Sequence, residues 1–348
     1  MKKRSEFKQW LLLIVAVATV AFVLFWPLPK YIEGPGEASA INQFVKIKNH
    51  PDKYSGYFML TSVGITQARP VTYLLAKFFP YYTIENPEAV TSGQNMTEYE
   101  KVQDFYMRSS ISQATYTAYK AAHQQVKLID NGIYVLQVQP QSKFKDKLKV
   151  GDVVTEIDGH PFKRSDNFVK YIQGKKKNDQ VEVTYLRNGK RHQVTAPLMQ
   201  IDKHRAGIGI TLTDNMTVKT EISIKVNPGD VGGPSGGLMF SLQIYSQLIK
   251  QDIRHGKKIA GTGTINDNGQ VGEIGGIDKK IIAAKKSGAT IFLAPYVKPT
   301  KTVLRYEPDH ITNYQLAKQT AKKYAPNLKV VPISDFNQAI KYLQNQKD

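Results

Sequence analysis

Gly232-Gly233-Pro234-Ser235-Gly236-Gly237 is a run in which one serine stands among glycines and a proline. Such a run predicts a tight turn that exposes the hydroxyl of Ser235 and leaves backbone N–H groups free around it. An attacking oxygen and a site for a developing oxyanion both need that arrangement. The apolar run from Leu238 to Lys250 follows at once and predicts an amphipathic helix. Ser235 would then lie near a helix N-terminus, where the partial positive charge favours an anion.

A second glycine-rich segment contains the other reactive group. Gly275-Gly276 precedes Ile277-Asp278-Lys279-Lys280-Ile281-Ile282-Ala283-Ala284, which predicts a turn that leads into an apolar helix. A lysine amine that loses its water in such a setting has a lowered pKa and can take the proton of a serine hydroxyl. The two segments together predict a peptidase that uses Ser235 and Lys280 without histidine. The structural alternatives are a helix-cap serine and an exposed helix lysine.

The composition excludes several other kinds of protein. The chain has 348 residues, of which 41% are hydrophobic, and this allows about two or three domains with buried cores. It has no cysteine, which excludes disulfides, thiolate metal sites and a cysteine nucleophile. None of the seven histidines has a partner three or four residues away, so no metal site is predicted. Although the net charge is +19, the lysines are scattered without an RNA-binding or zinc-finger pattern. We therefore expect no nucleic-acid partner, and attribute the charge to a solvated face or to an anionic membrane and cell wall.

An uncharged stretch of 20 residues runs from Trp10 to Pro29, close to the length that crosses a bilayer. Basic residues precede it at positions 2, 3, 4 and 8, whereas few follow it closely. The positive-inside rule therefore predicts a cytoplasmic N-terminus and places everything after about residue 30 outside the cell. A cleaved signal peptide is the alternative, but its apolar region would be unusually long, and Pro27 and Pro29 lie where cleavage usually occurs.

Residues 125–202 are predicted to be rich in strands. Asn188-Gly189 predicts a two-residue hairpin turn, and Leu148 to Gly159 has the pattern L-x-V-G-D-V-V-x-x-I-D-G. This pattern, with a helix predicted at 167–172, resembles a PDZ domain. The resemblance implies a loop at Asn131, Gly132, Ile133 and Tyr134 that holds a peptide carboxylate, while the peptide adds a strand to the sheet edge. A small β-domain that serves only as a spacer is the alternative.

Residues 203–348 contain both reactive segments and resemble the proteolytic domain of Lon-type proteases, the S16 class of peptidases. Gly233 to Gly237 stands where that family has its nucleophile motif, and Gly261 to Ala284 matches its lysine block. The resemblance implies Ser235 as the nucleophile, Lys280 as the general base and Thr262 as a hydroxyl that orients the lysine amine.

The same resemblance implies that the backbone N–H groups of Gly233 and Ser235 form the oxyanion hole. Two departures from the family pattern are visible. Gly232 stands where many Lon enzymes have an acidic residue, which leaves Asp230 as the nearest carboxylate and its role in doubt. The chain has no G-x-x-x-x-G-K-[ST] phosphate loop, so the ATPase motor of Lon is missing and neither a nucleotide nor another cofactor is expected.

These expectations define an α+β chain with a single transmembrane helix. The predicted units are a cytoplasmic tip and anchor at 1–30, an N-terminal α/β segment at 31–124, a PDZ domain at 125–202 and a proteolytic domain at 203–348. Residues 58–64 and 107–114 weakly resemble the strand and helix with which the Lon domain opens. We therefore expect the PDZ unit to be inserted into a protease domain that begins near residue 40. A separate N-terminal helical module is the alternative.

The order of anchor, PDZ and S16 domain resembles the membrane-anchored proteases of Firmicutes. It implies an ATP-independent serine endopeptidase at the outer face of the cell membrane, which cleaves peptides or proteins, secreted signalling peptides such as pheromones among them. A catalytically idle, surface-anchored peptide binder is the alternative function. The oligomeric state and the cleavage preference do not follow from the sequence.

Overall fold

The computed structural model describes residues 2–203, 205–307 and 310–346. The chain is a mixture of helices and strands, as the sequence predicts. The helices are Lys2–Phe25 (α1), Pro70–Ala76 (α2), Pro87–Thr91 (α3), Met96–Ala121 (α4), Ser165–Gln173 (α5), Gly237–Ile249 (α6), Ile277–Lys286 (α7), Lys301–Tyr306 (α8), Asn313–Tyr324 (α9) and Phe336–Gln344 (α10).

The strands are two to 13 residues long, and most of them coincide with runs rich in β-branched or aromatic residues. They are Tyr31–Ala40 (β1), Val45–Ile47 (β2), Tyr57–Gln67 (β3), Thr83–Glu85 (β4), Val126–Val138 (β5), Val153–Ile157 (β6), His160–Pro161 (β7), Gln180–Arg187 (β8), Lys190–Pro197 (β9), Met199–Gln200 (β10), Ala206–Gly207 (β11), Ile210–Thr220 (β12), Ile224–Val226 (β13), Lys258–Gly261 (β14), Thr264–Ile265 (β15), Val271–Gly272 (β16), Ile291–Pro295 (β17) and Lys329–Ile333 (β18).

One sheet combines strands from both ends of the chain. Its order is β18-β17-β14-β3-β1-β4. β14 runs parallel to β3 and to β17, β17 runs parallel to β18, and β1 runs antiparallel to its neighbours β3 and β4. Residues 31–85 and 258–333 thus share a sheet, although 126–220 form a second sheet between them in sequence.

Helix α6 lies in the centre of the larger core. Every residue from Gly237 to Leu248 is buried, so the prediction of an amphipathic helix is wrong for this segment. The reason is that α4 and α10 pack on it as well as β3 and β14, so it has no face left for solvent. A polar residue such as Ser241 is accommodated because its hydroxyl donates to the Gly237 carbonyl oxygen at 2.9 Å.

The second sheet has the order β12-β5-β6-β8-β9, with β7 paired to β6. The predicted hairpin at Asn188-Gly189 joins β8 to β9, and both residues have positive φ, 51° and 76°, as a two-residue turn of this kind requires. Helix α5 begins at Ser165 and covers one face with Phe168 and Ile172. This unit has its own core, separate from that of the larger sheet.

Helix α4 joins the two sheets. The ring of Phe105 stacks on that of Tyr134 in β5, with 3.7 Å between ring centroids and 16° between planes. Val102 belongs to the same small cluster, as do Leu136 and Val150 from the second sheet. Tyr134 is therefore part of the contact between the two units.

The N-terminal helix α1 contains an apolar span from Phe7 to Phe25, which by length and composition could cross a membrane. The predicted span, Trp10 to Pro29, begins and ends a few residues later than this one. Its last residues lie outside the helix because Pro27 cannot donate to the helical ladder and disfavours a helical residue before it.

Two elements differ from the sequence expectation or were absent from it. Gly34-Pro35-Gly36 is a sequence typical of a turn, yet β1 passes through it. The strand accommodates these residues by a register shift between Pro35 and Ala38. Helix α9 has a capping box at Thr312 and Gln315, a pattern that could have located its start.

Asp52 and Arg254 hold together the loops that precede β3 and β14. Their side chains are 7% and 1% exposed, and both guanidinium nitrogens donate to the carboxylate, at 2.6 and 2.7 Å. Burial would raise the pKa of Asp52, but the hydrogen bonds from Arg254 and Gln243 outweigh it, so the pKa lies below its ordinary value.

We predict that Asp52→Ala lowers the free energy of unfolding by about 3–5 kcal/mol, because it leaves a buried guanidinium without its partner. Urea unfolding of the purified chain, followed by circular dichroism, measures this. The matched control is Glu156→Ala, which removes the partner of the exposed Arg191 and should cost no more than about 1 kcal/mol. Equal losses in the two variants would contradict the role assigned to the buried pair.

Candidate active site

Ser235 lies in the turn that leads into α6, and the turn is fixed from several sides. The hydroxyl of Ser110 in α4 donates to the Pro234 carbonyl oxygen at 2.9 Å. The carbonyl oxygen of Ser235 itself accepts from the N–H of Gly263 at 2.8 Å and from the hydroxyl of Thr262 at 3.0 Å. The backbone of the serine is therefore held, while its side chain remains partly exposed.

Lys280 reaches this serine from the first turn of α7. Its Nζ lies 2.8 Å from the Oγ of Ser235 and 3.0 Å from the Oγ1 of Thr262. Gly276 makes the approach possible, because it caps the helix in the left-handed region at φ 66° and a Cβ there would meet the side chain of Val63. The structure thus brings Ser235, Lys280 and Thr262 together.

The amine of Lys280 is almost fully removed from water. Lys280 is 3% exposed and Thr262 is 0% exposed. Burial lowers the pKa of Lys280 from its ordinary value to about 7, and the carboxylate of Glu33 opposes this shift only in part. A large fraction of the molecules therefore has a neutral amine at neutral pH, within hydrogen-bond distance of the Ser235 hydroxyl.

Lys279 is also buried, but it is engaged elsewhere. Its Nζ lies 3.3 Å from a carboxylate oxygen of Asp278 and 3.5 Å from one of Glu33. The ring of His255 makes its contact with the carbonyl oxygen of Leu343, and His310 with that of Leu304. Neither histidine makes a hydrogen bond to the serine.

The backbone donors near Ser235 differ from the sequence expectation. The N–H of Gly233 donates to the carbonyl oxygen of Gln103 at 3.0 Å, so this group is not free for an oxyanion. In the described part of the chain, the N–H groups of Ser235 and Gly236 have no acceptor. The available donors are therefore those of Ser235 and Gly236. Gly236 replaces Gly233 of the expected pair because α4 supplies an acceptor for the N–H of Gly233.

Ser235 and Lys280 line a cleft of about 840 Å³. One wall is β3 from Leu60 to Ile65, and another is α4 at Tyr99, Gln103 and Met107. β14 pairs with β3 only as far as Leu60, so the following residues of β3 have no strand beside them on that edge. An extended peptide can pair with such an edge.

Six carboxylates also line this cleft: Glu33, Glu100, Asp104, Asp230, Glu273 and Glu307. Lys280 is the one basic residue among its described lining residues. Burial raises the pKa of Glu273 to about 7, and Glu307 adds to the shift. Asp230 is an exposed part of the rim and makes no hydrogen bond to the dyad in the described part of the chain.

The prediction of a loop that binds a peptide carboxylate at residues 131–134 is wrong. Asn131, Gly132, Ile133 and Tyr134 lie inside strand β5 rather than in a loop. Ile133 and Tyr134 pair with β12 on one side and with β6 on the other, so neither edge is open to a further strand. The side-chain amide of Asn131 donates hydrogen bonds to the carbonyl oxygen of Ile129 and to the hydroxyl of Thr217.

An open edge exists on β12 instead. A cavity of about 250 Å³ lies between the start of β12 at Ile210 and Leu212 and the α5 residues Phe168, Val169 and Ile172. The loop before β12 contains Ile208 and Gly209, whose N–H groups donate to no acceptor in the described part of the chain. The sequence signal was Gly207-Ile208-Gly209-Ile210, alternating glycine and isoleucine, directly before a strand.

Among the described residues, no group of three or more His, Asp or Glu side chains is arranged to hold a metal ion.

Comparison with known proteins identifies both units. The PDZ domain family matches residues 124–198, and the Lon protease (S16) C-terminal proteolytic domain matches residues 176–326. The matches overlap at 176–198, which the structure places in β8 and β9 of the PDZ-like sheet. These strands belong to the PDZ unit, because β8 pairs with β6 and with β9 in that sheet.

The relatives are Lon proteases. That of Heliobacterium modesticaldum is 29% identical over 127 residues, which are 33% of this chain and 15% of that protein. Lon protease 2 of Bacillus subtilis is 38% identical over 91 residues, which are 25% of this chain and 16% of that protein. The chain thus covers less than a fifth of the length of either relative.

A solved structure also matches part of the chain. The PDZ domain of the SdrC-like protein from Listeria monocytogenes is 42% identical and covers 25% of this chain and 92% of its own, with a TM-score of 0.24. The resemblances drawn from the sequence are confirmed by the family matches. This chain carries a PDZ domain and a Lon-type (S16) proteolytic domain.

Proposed function

We propose that the chain is an ATP-independent serine endopeptidase whose catalytic dyad is Ser235 and Lys280. The observation that carries this proposal is the 2.8 Å separation of Nζ and Oγ at a lysine whose pKa burial lowers to about 7. An exposed lysine would keep its proton at neutral pH and could not act as a base.

In the proposed reaction the neutral amine of Lys280 takes the proton of Ser235 as Oγ attacks a peptide carbonyl carbon. The N–H groups of Ser235 and Gly236 stabilise the oxyanion. The protonated amine then gives its proton to the leaving nitrogen as the peptide bond breaks. Water attacks the acyl-enzyme, Lys280 takes its proton, and Ser235 recovers its hydroxyl hydrogen. Thr262 accepts an N–H of Lys280, which points the lone pair of the amine at Oγ.

The substrate is proposed to lie along the unpaired edge of β3. Residues Thr61 to Ile65 offer backbone groups to an extended peptide beside Ser235. Only chain segments that can be extended would fit, which favours peptides and unfolded tails over compact proteins.

The PDZ unit is proposed to bind the same peptide further along. Its open strand β12 contributes Leu212 to the groove beside α5 and the next residue, Thr213, to a second cavity of about 620 Å³. That second cavity also contacts Pro234 and Thr264, next to the catalytic serine. A peptide paired with β12 would therefore continue towards the dyad.

The placement in the cell is part of the proposal. With α1 across the membrane and the basic residues before it inside, both domains lie at the outer face. We also propose that the PDZ unit is inserted into the proteolytic domain. The shared sheet of β1, β3, β4, β14, β17 and β18 supports this division, because three of its six strands precede the PDZ residues in sequence.

The carboxylates of the cleft favour peptides with basic side chains near the scissile bond. The chain as a whole has 48 basic and 29 acidic residues, so the acidic lining runs against its overall charge. Glu100, Asp104, Asp230 and Glu307 have no ion-pair partner in the described part of the chain. A cationic peptide would be attracted by these charges and would offset them on binding.

Removal of either dyad member should abolish cleavage. We predict that Ser235→Ala and Lys280→Ala each lower kcat/KM to less than about a thousandth of the wild-type value. For the wild type, kcat/KM should fall about tenfold per pH unit below about 7, because Lys280 becomes protonated there. Peptide digests analysed by mass spectrometry measure both effects.

Lys285→Ala is the matched control for that experiment, since this lysine lies on the same helix but is exposed. It should leave activity and pH profile unchanged. Cleavage that persists in both dyad variants would remove the dyad, whereas peptide binding without cleavage by the wild type would favour the idle binder.

Lys280→Met tests the buried amine without reference to activity. The folded-state pKa of about 7 lies below the ordinary value of 10.5, so the unfolded chain binds more protons between these values. Wild-type stability should therefore rise with pH from about 7 to 10.5. Below that window the charged amine costs roughly 5 kcal/mol, so the variant should be more stable at pH 6, by an amount that shrinks towards pH 10. Unfolding curves measure the stability difference between wild type and variant. A difference that is the same at pH 6 and pH 10 would contradict this.

Matched peptides test the charge of the cleft. We predict that a peptide with lysine next to the scissile bond is cleaved with a higher kcat/KM than its glutamine counterpart, by about two- to fivefold per cleft carboxylate engaged. Asp104→Asn and Glu307→Gln should narrow the ratio, and added salt should narrow it as well. Glu182→Gln, at an exposed position of strand β8 in the PDZ sheet, is the control. An unchanged ratio in the cleft variants would refute the charge preference while leaving the dyad intact.

A further inference from the structure

A strongly exposed apolar surface lies beside the membrane helix. It consists of Leu74 and Leu75 on α2 and Phe78 and Phe79 in the turn that follows. Phe78 is 80% exposed, Leu74 56%, Leu75 53% and Phe79 46%. We call this group the α2 patch. Soluble surfaces rarely leave four large apolar side chains together in water, so such a patch marks a binding surface.

The opposite face of α2 is buried and fixes the helix. Ala76 is buried, and Tyr73 packs with it against the small cluster that contains Leu28 and Ile32. The helix therefore already has a packed side, and the α2 patch is the side that lacks a partner. The α2 patch faces away from the domain, because Tyr73 and Ala76 take the positions of α2 that face it.

The α2 patch is tied directly to the point where the chain leaves the membrane helix. The N–H of Leu28 donates to the carbonyl oxygen of Ala68 at 2.8 Å, and the N–H of Ala68 donates to that of Lys30 at 2.8 Å. Ala68 lies two residues before α2, and α1 and α2 are in contact. The apolar span of α1 ends at Phe25, only three residues before this anchorage.

We propose that the α2 patch inserts into the outer leaflet of the membrane that α1 spans. A helix as short as α2 would bind lipid weakly by itself, but the α1 anchor holds it at the surface, so little binding energy is needed. The residues around the α2 patch are of the kinds found where a membrane meets water. Tyr81 and Tyr82 lie in contact with Phe79, and the amine of Lys77 lies 4.9 Å from the ring centroid of Tyr73. Aromatic and basic side chains favour the headgroup region.

The absence of cysteine makes the test clean. Single cysteines are introduced as Phe78→Cys and Leu74→Cys, with Val17→Cys as the in-membrane reference and Asn188→Cys, at the PDZ hairpin, as the water reference. Each full-length variant is spin-labelled and placed in nanodiscs of phosphatidylcholine with phosphatidylglycerol. Collisions with oxygen and with a water-soluble nickel complex are then measured by electron paramagnetic resonance.

We expect the ratio of oxygen to nickel collisions at positions 74 and 78 to be several-fold higher than at 188 and closer to that at 17. A label at both positions that is as open to nickel as the label at 188 would overturn the proposal. Labels shielded from oxygen and nickel alike, with dipolar broadening, would show contact with a second copy and would overturn it as well. Two labelled positions guard against a local disturbance by one cysteine, and the result does not depend on protease activity.

Discussion

The arrangement depends on one amine being kept free of water and of neighbouring carboxylates. The side chain of Lys280 is enclosed by the sheet below it, by Thr262 at its side and by the serine turn above it. The carboxylate of Glu33, which acts on the charge of Lys280, forms an ion pair with Lys279. If Glu33 paired with Lys280 instead, the amine would keep its proton and the proposed base would be lost. Lys279 thus helps to keep the amine of Lys280 unpaired, because it binds Glu33.

This enclosure needs residues from both ends of the chain. The strand that supports the lysine helix, β3, and the helix that supports the serine turn, α4, precede the PDZ unit, whereas both members of the dyad follow it. Ser110 holds the turn by its bond to Pro234, and Gln103 takes the N–H of Gly233. The first part of the chain therefore forms the walls of the site and determines which backbone donors are left for the oxyanion. A fragment limited to 203–348 would lack these walls.

The sequence predicted the members of the site better than their surroundings. Ser235 and Lys280 were identifiable because glycine turns and an apolar helix start limit what such residues can do, whereas Thr262 followed from the resemblance to the Lon family. The carboxylate loop was misplaced because β5 and β12 both have the strand pattern, and only the sheet order decides which edge is open. α6 was expected to be amphipathic because its polar residues are visible in the sequence, whereas the helices that cover them are not. Donor availability at Gly233 depends on a contact between residues 130 positions apart in sequence.

Strand β3 has one end at the cleft beside Ser235 and the other near the segment that follows the apolar helix α1. From Val63, in the cleft wall, to Ala68, which is bonded to Leu28, the chain advances five residues, or about 17 Å along an extended strand. With α1 across the membrane, as proposed, a rigid spacer of this length would hold Ser235 at a nearly constant height above the lipid. Encounters with substrates that also adhere to the lipid would then take place in two dimensions, at a far higher local concentration than in the surrounding fluid. A folded protein wider than the gap would be excluded by its size alone.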